Sequence, residues 1–315
     1  MNSALLLTTL SLQNAAHILI LRLARIQPGP LFITSATVVI SETIKVVALC
    51  VVITFESRSF FTAIKRIFRQ FLIDPVNSIK FILPAVFFTL QNHLLYIGIT
   101  NLPVVTYHVL YQLKVFSTAI LSVILLKKQL NWLHWISLCM LCLGIATVQF
   151  SKGSQFERLS RFDRNGVIGV AAVIFNGFCA GFSNVYFEKI IKRSQQSVWF
   201  ENLYLSFWSS IVGACTVYWK DFKKIEKYGL LHGFNFYTWI VIFLQVIGGI
   251  LVGFVLKYTD SILKHFANSF AVVLSSIGAV YLFDFHITKT FIYGTTLIVV
   301  SNIAYILASR KTKKL

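Results

Sequence analysis

Runs of about twenty mostly apolar residues recur along this chain, and no other feature limits its fold as strongly. An α-helix needs about 20 such residues to cross the hydrocarbon core of a bilayer. Residues 32–55, 81–100, 133–150, 236–256 and 289–309 are the clearest examples. Splitting the chain at polar clusters, Pro and Gly gives ten candidate spans, near 3–23, 32–55, 79–100, 103–126, 131–150, 166–188, 200–219, 236–257, 263–283 and 289–309. The 315 residues are 57% hydrophobic and 13% charged. That is about half the charged fraction of a soluble domain, so the surplus apolar surface has to face lipid. The first span lacks the basic leader of a signal peptide, and SLQNAAH interrupts its apolar run, so it reads as a retained helix. The longest polar stretches, 56–78, 151–165 and 220–235, are too short for a separate catalytic domain. The expected architecture is all-α, a single polytopic membrane domain over 1–315 with ten transmembrane helices.

A formal net charge of +18 would suggest nucleic acid in a soluble protein. In a chain of membrane spans it has a simpler source, because Lys and Arg gather in cytosolic loops. No nucleic-acid partner is expected. Placing both termini in the cytosol puts Arg58, Lys65, Arg66, Arg69, Lys80, Lys127, Lys128 and the 189–193 cluster on that side. Arg22 and Arg25, after the first helix, argue the other way. The five cysteines all lie in apolar segments, and the CxxC of Cys139 and Cys142 has no further zinc ligands nearby. They are expected to be small core hydrophobes, with neither metal nor cofactor.

Residues 106–124, TYHVLYQLKVFSTAILSVI, match residues 256–274, LKYTDSILKHFANSFAVVL, at a constant offset of 150. Leu113 falls on Leu263, Lys114 on Lys264, Phe116 on Phe266 and Val123 on Val273. The two segments occupy the fourth and ninth spans, where a five-plus-five duplication of 1–150 and 151–315 would put them. Five is odd, so the second copy enters the membrane from the opposite side. Such an inverted repeat is a transporter architecture, with its binding site between the halves. Gly177-xxx-Gly181 and Gly249-xxx-Gly253 are small-xxx-small patterns that suit close helix packing.

A lysine at mid-bilayer costs about 2.5–3.5 kcal/mol, so each needs an acid, water or a ligand. Lys45 has Glu42 three residues earlier on the same helix face. Lys257, Asp260 and Lys264 are spaced i, i+3 and i+7, so on helical spacing the two lysines share a face with Asp260 between them, and one acid cannot neutralise two cations. Snorkelling to the interface would serve Lys257 and Lys264, which sit near a predicted helix end. It serves Lys114 poorly, far from both ends of its span and with no acid in helical reach. Tyr107, Tyr111 and Lys114, at i, i+4 and i+7, share a face, setting rings that can stack a base beside a cation that can hold a phosphate. The repeat pairs Lys114 with Lys264 and Tyr107 with Lys257. Asn92 and Asn202 can hydrogen-bond a base or ribose. The candidate substrate site is therefore Lys45, Asn92, Tyr107, Tyr111, Lys114, Asn202, Lys257 and Lys264, with Glu42 and Asp260 structural or gating. His17, His93 and His108 have no metal spacing and suit core packing. The eleven acids form no DxD-type cluster in any loop, so an enzyme is not expected.

Four stretches carry a family resemblance: VVISETIKVV at 38–47, QNHLLYIGITNLPVVTYHVLYQLKVFSTAILSVILLKKQL at 91–130, GFSNVYFEKIIKRSQQSVWFENL at 181–203, and GGILVGFVLKYTDSILKHFANSFAVVLSS at 248–276. In these the chain resembles the Golgi nucleotide-sugar transporters, in the branch carrying UDP-galactose, UDP-N-acetylglucosamine and CMP-sialic acid. That branch belongs to the drug/metabolite transporter superfamily. The resemblance implies ten helices, cytosolic termini, alternating access, and exchange of a nucleotide sugar for a nucleoside monophosphate. It implies Tyr107, Lys114 and Lys257 near the phosphate, Asn92 and Asn202 near the nucleotide, and Glu42 with Lys45 as a charged pair. The chain departs from the family pattern at His108, Leu110, His265 and Glu201, where Gln, Thr, Gly and Arg are usual. These changes surround the pocket and leave the sugar open: UDP-galactose or UDP-N-acetylglucosamine first, CMP-sialic acid or another organic phosphate as alternatives. Expected partners are the nucleotide sugar, the monophosphate and the bilayer, with a homodimer or an association with glycosyltransferases left open. Lys311 and Lys313 in the tail RKTKKL resemble a dilysine return signal, so cycling through the endoplasmic reticulum accompanies the expected Golgi residence.

Overall fold

The computed structural model describes residues 3–73, 75–102, 104–152, 164–283 and 288–312. These form thirteen α-helices and no strand. In chain order they are α1 (Ser3–Ile26), α2 (Thr34–Glu56), α3 (Phe60–Ile73), α4 (Pro75–Ile79), α5 (Ile82–Asn101), α6 (Val104–Tyr111) and α7 (Leu113–Leu126), then α8 (Trp132–Lys152), α9 (Arg164–Arg193), α10 (Val198–Tyr228), α11 (Phe236–Tyr258), α12 (Ser261–Phe283) and α13 (Lys289–Thr312). Eight stretches, on α1, α2, α6–α7, α8, α9, α11, α12 and α13, are long and apolar enough to cross a membrane. The other two expected spans, 79–100 and 200–219, fall on α5 and α10. Outward side chains such as Leu12, Val47, Ile124 and Leu143 are apolar and exposed, as a surface meant for lipid must be.

Two readings need correction. The expected single helix over 103–126 breaks at Gln112 into α6 and α7. There the backbone tightens into three-residue steps, Gln112 N–H to Val109 O at 3.1 Å and Val115 N–H to Gln112 O at 3.0 Å. The Gln112 carbonyl also accepts from Cys142 Sγ at 3.7 Å, so a neighbouring helix helps to satisfy it. Further along, Lys257, Asp260 and Lys264 do not line one helix. The chain leaves helical geometry at Thr259 (φ −128°, ψ −124°), which ends α11 before Asp260 and starts α12 after it. The polar stretch 56–78 also holds two helices, α3 and α4, that no span boundary announced.

The helices gather into two compact units, Met1–Thr89 with Phe187–Asp260, and Leu90–Tyr186 with Ser261–Leu315. In the first, α2 packs on α10 and α11, and α1 on α11. Its core is built from Leu49, Ile53, Phe81, Phe187, Phe200, Leu203, Tyr204 and Leu256. At one end, Asn235 caps α11 by accepting from Thr238 N–H at 2.8 Å, while its amide donates to Ala24 O at 3.2 Å and ties that cap to α1. In the second unit, α8 lies along α13. A Cβ at Gly144 would come 2.9 Å from Gly294 O, so the glycines let the two backbones nearly touch. Leu138, Leu141, Ile145, Phe291, Ile298 and Tyr305 fill the seam, joined by Val115 of α7 and Ile262 and Phe266 of α12.

Candidate functional site

Polar side chains on membrane helices form a group in each unit. In the second unit Gly98 on α5 makes room for a ring: a Cβ there would lie 2.7 Å from Tyr107 Cε2. Tyr107 stacks on Tyr111, with centroids 5.6 Å apart and planes 21° apart. Asn176 of α9 donates from Nδ2 to Tyr107 Oη at 3.2 Å. Lys114 Nζ sits 4.0 Å from the Tyr111 ring centroid, so the break at Gln112 leaves the Tyr107–Tyr111–Lys114 ladder on one face. A cation over an aromatic face gains about 0.5–2 kcal/mol, which falls short of replacing a counter-ion.

Two glycines hold α9 against α7 at this level. A Cβ at Gly177 would come 3.1 Å from Lys114 N, and one at Gly181 2.9 Å from Thr118 N. Thr118 Oγ1 donates to Lys114 O at 2.7 Å and lies 2.9 Å from His265 Nε2. Its single hydrogen is committed to the carbonyl, so it accepts from the imidazole, whose proton is then on Nε2. Lys264, nearly buried on α12, donates to Asn184 Oδ1. The charges of Lys114 and Lys264 repel one another, and both act on His265. Among the described residues this unit contains no Asp or Glu at all. Two ammonium groups thus share a largely apolar surrounding with no carboxylate among the described residues, an arrangement that suits an anionic ligand.

In the first unit the polar heads rest on the glycines of α11. Gln13 Nε2 donates to Leu244 O at 2.8 Å and lies 2.6 Å from the Cβ position of Gly248. Lys45 Nζ is 2.7 Å from Glu42 Oε1 and 2.6 Å from the Cβ position of Gly249. Asn202 Nδ2 donates to Val198 O at 3.1 Å, and its amide covers Gly253. The second Glu42 oxygen, Gln13 Oε1 and Gln245 Oε1 are buried with no hydrogen-bond partner among the described residues. Lys257 is held by backbone: its Nζ donates to Ile191 O and to Ser194 O, capping the end of α9. Glu201 lies buried on α10, 1% exposed, with neither carboxyl oxygen hydrogen-bonded among the described residues. Lys192 braces the same corner by donating to Glu188 Oε1 at 2.7 Å and to Thr259 O.

The two glycine pairs therefore do different jobs. Gly177 and Gly181 bring backbones together, whereas Gly249 and Gly253 house a side-chain ammonium and amide. Gly249→Ala is expected to push Lys45 aside without unfolding the protein, because the clashing atom is the end of a flexible chain. A melting temperature within a few degrees of the wild type would bear this out; a large drop would mean that Lys45 cannot give way.

Of the residues singled out in the sequence, Tyr107, Tyr111, Lys114 and Lys264 lie in the second unit, and Glu42, Lys45, Asn202, Lys257 and Asp260 in the first. The side chain of Asn92 and the Lys311–Lys313 tail pair lie outside what is described. Sequence reading missed Asn176 and Asn184, which hold Tyr107 and Lys264. Their signal was present: two amides about two turns apart on α9, beside Gly177 and Gly181, inside a span where Asn is costly.

The sequence profile of the family described as "Nucleotide-sugar transporter" matches residues 3–306. The UDP-N-acetylglucosamine transporter of Homo sapiens is 37% identical over 297 residues, 93% of this chain and 91% of that protein. The UDP-galactose translocator of Mus musculus is 37% identical over 296 residues, 93% of this chain and 75% of that protein. A solved crystal structure at 13% identity covers 97% of this chain and 98% of its own, with a TM-score of 0.64, a likeness of fold alone.

Proposed function

The chain belongs to the nucleotide-sugar transporter family, and on that premise we propose that it carries a UDP-sugar, UDP-N-acetylglucosamine or UDP-galactose, from the cytosol into the Golgi lumen in exchange for UMP. The observation that carries the reading is the ladder of Tyr107, Tyr111 and Lys114, with Lys264 beside it, in surroundings that hold no described carboxylate. The rings offer a stacking surface for uracil. The ammonium groups offer point charges to the phosphates. Asn92, Lys45 and Asn202 supply further polar contacts, and Glu42 and Asp260 set the charge around them. Lys257 is assigned to the same substrate path, released from the α9 carbonyls when the carrier changes state.

Exchange follows from electrostatics. Without an anion, the two lysines remain uncompensated in low dielectric, so reorientation of the empty carrier is costly. A bound UDP-sugar or UMP cancels them, and alternating access through a ten-span, inverted-repeat architecture proceeds. A ligand drives such a switch only through different affinity for the two states or for the barrier between them. Both termini face the cytosol in this reading, and passage through the endoplasmic reticulum is compatible with the basic tail.

Liposomes preloaded with UMP, CMP or buffer, offered a panel of labelled nucleotide sugars, test it. UMP inside should stimulate uptake of one or both UDP-sugars. Stimulation by CMP with CMP-sialic acid, or by a sugar phosphate alone, would move the substrate to those alternatives. UMP released without label crossing the bilayer would indicate an enzyme.

A further inference from the structure

Helix α3 takes no part in either polar group, yet its rotation is fixed. Ala63 and Ile67 sit in the core of the first unit. Phe71 meets Tyr204 edge-on at 4.9 Å, and Gln70 Oε1 accepts from Tyr204 Oη at 3.3 Å. Arg66 lies 4.9 Å over the Phe200 ring and 3.9 Å from Glu56. With that face anchored, the opposite face cannot roll inward. It presents Phe61, Ile64 and Phe68, with Phe61 82% and Phe68 62% exposed. Lys65 and Arg69, one turn apart and exposed, run beside this stripe. The helix carries no acid, and no carboxylate lies within 4.0 Å of Lys65 or Arg69 among the described residues.

An apolar stripe bordered by cations is the pattern of a helix lying in the plane of a membrane surface. We propose that the outer face of α3 docks on anionic phospholipid headgroups of the leaflet beside it, Phe61, Ile64 and Phe68 entering the acyl boundary while Lys65 and Arg69 meet the phosphates. Charge selects this occupant. A second copy on a two-fold axis would set the same cations against each other. A neutral bilayer would use the aromatic stripe and leave the cations without a role. Attraction to an anionic leaflet is worth about fivefold in affinity per basic residue.

The test uses the full-length protein in nanodiscs of phosphatidylcholine, with and without phosphatidylserine, read by hydrogen–deuterium exchange over residues 60–73. The anionic lipid should slow exchange several-fold at low salt, and high salt should cancel the effect. Lys65→Gln with Arg69→Gln should remove the lipid dependence and leave exchange in α8 and α13 unchanged. Equal exchange in both lipids overturns the proposal, as does slowing that survives salt and the double substitution, or protection that tracks a dimer instead of the lipid. No substrate enters the assay, so its outcome is independent of the transport reading.

Discussion

A Lys114→Ala carrier, reconstituted around internal UMP, is expected to take up labelled UDP-sugar at least about 30-fold more slowly than the wild type, because removing one partner of a buried charge pair costs roughly 2–5 kcal/mol. Insertion and purification should be normal: the substitution removes a mid-membrane charge and leaves α7 packed on Gly177 and Gly181 through its backbone. Lys257→Ala should lose less, since that ammonium already has two carbonyls to hold it. Lys114→Arg tests geometry separately from charge. A guanidinium is a planar fork and an ammonium a compact point, so partial recovery is expected. Native exchange by Lys114→Ala would end the assignment of a phosphate to this position.

The contrast between Lys114 and Lys257 could not be seen in the sequence, where both are lysines within hydrophobic spans. What separates them is where neighbouring chain segments end. The last turn of α9 delivers bare carbonyls to Lys257, while Lys114 meets a tyrosine face. Asn184 is likewise joined to Lys264 only by folding, from 80 residues away. Local periodicity, in contrast, was legible. The i, i+4, i+7 face of Tyr107, Tyr111 and Lys114 persists, and so does the Glu42–Lys45 pair, because both depend on helical spacing alone. The same reasoning failed at 257–264, where it assumed a helix through Thr259, and across Gln112, where a carbonyl shared with Cys142 permits a break. The four residues at which the chain departs from the family pattern were also legible, and two acquire roles in the structure. Glu201 becomes a buried carboxyl on α10, and His265 a lock on Thr118.

Gly181→Val is expected to be among the most damaging substitutions in the chain, for a reason distinct from that of Lys114→Ala. The added Cβ alone would lie 2.9 Å from Thr118 N, 3.0 Å from the Ser117 carbonyl carbon and 3.0 Å from Ser117 Cβ. Two of those atoms are backbone and cannot swing away, so α9 and α7 must separate. Overpacking a core costs about 1–3 kcal/mol where side chains can yield, and this site should reach or pass the upper figure. Separation would also pull Asn176 from Tyr107 and loosen the turn that carries Lys114 and Thr118. The expected result is loss of monodisperse protein, or a melting temperature lowered by many degrees, with transport lost in proportion. Gly181→Ala should show the same direction more weakly. A Gly181→Val protein that melts like the wild type would mean that α7 and α9 do not approach as closely as the glycines require.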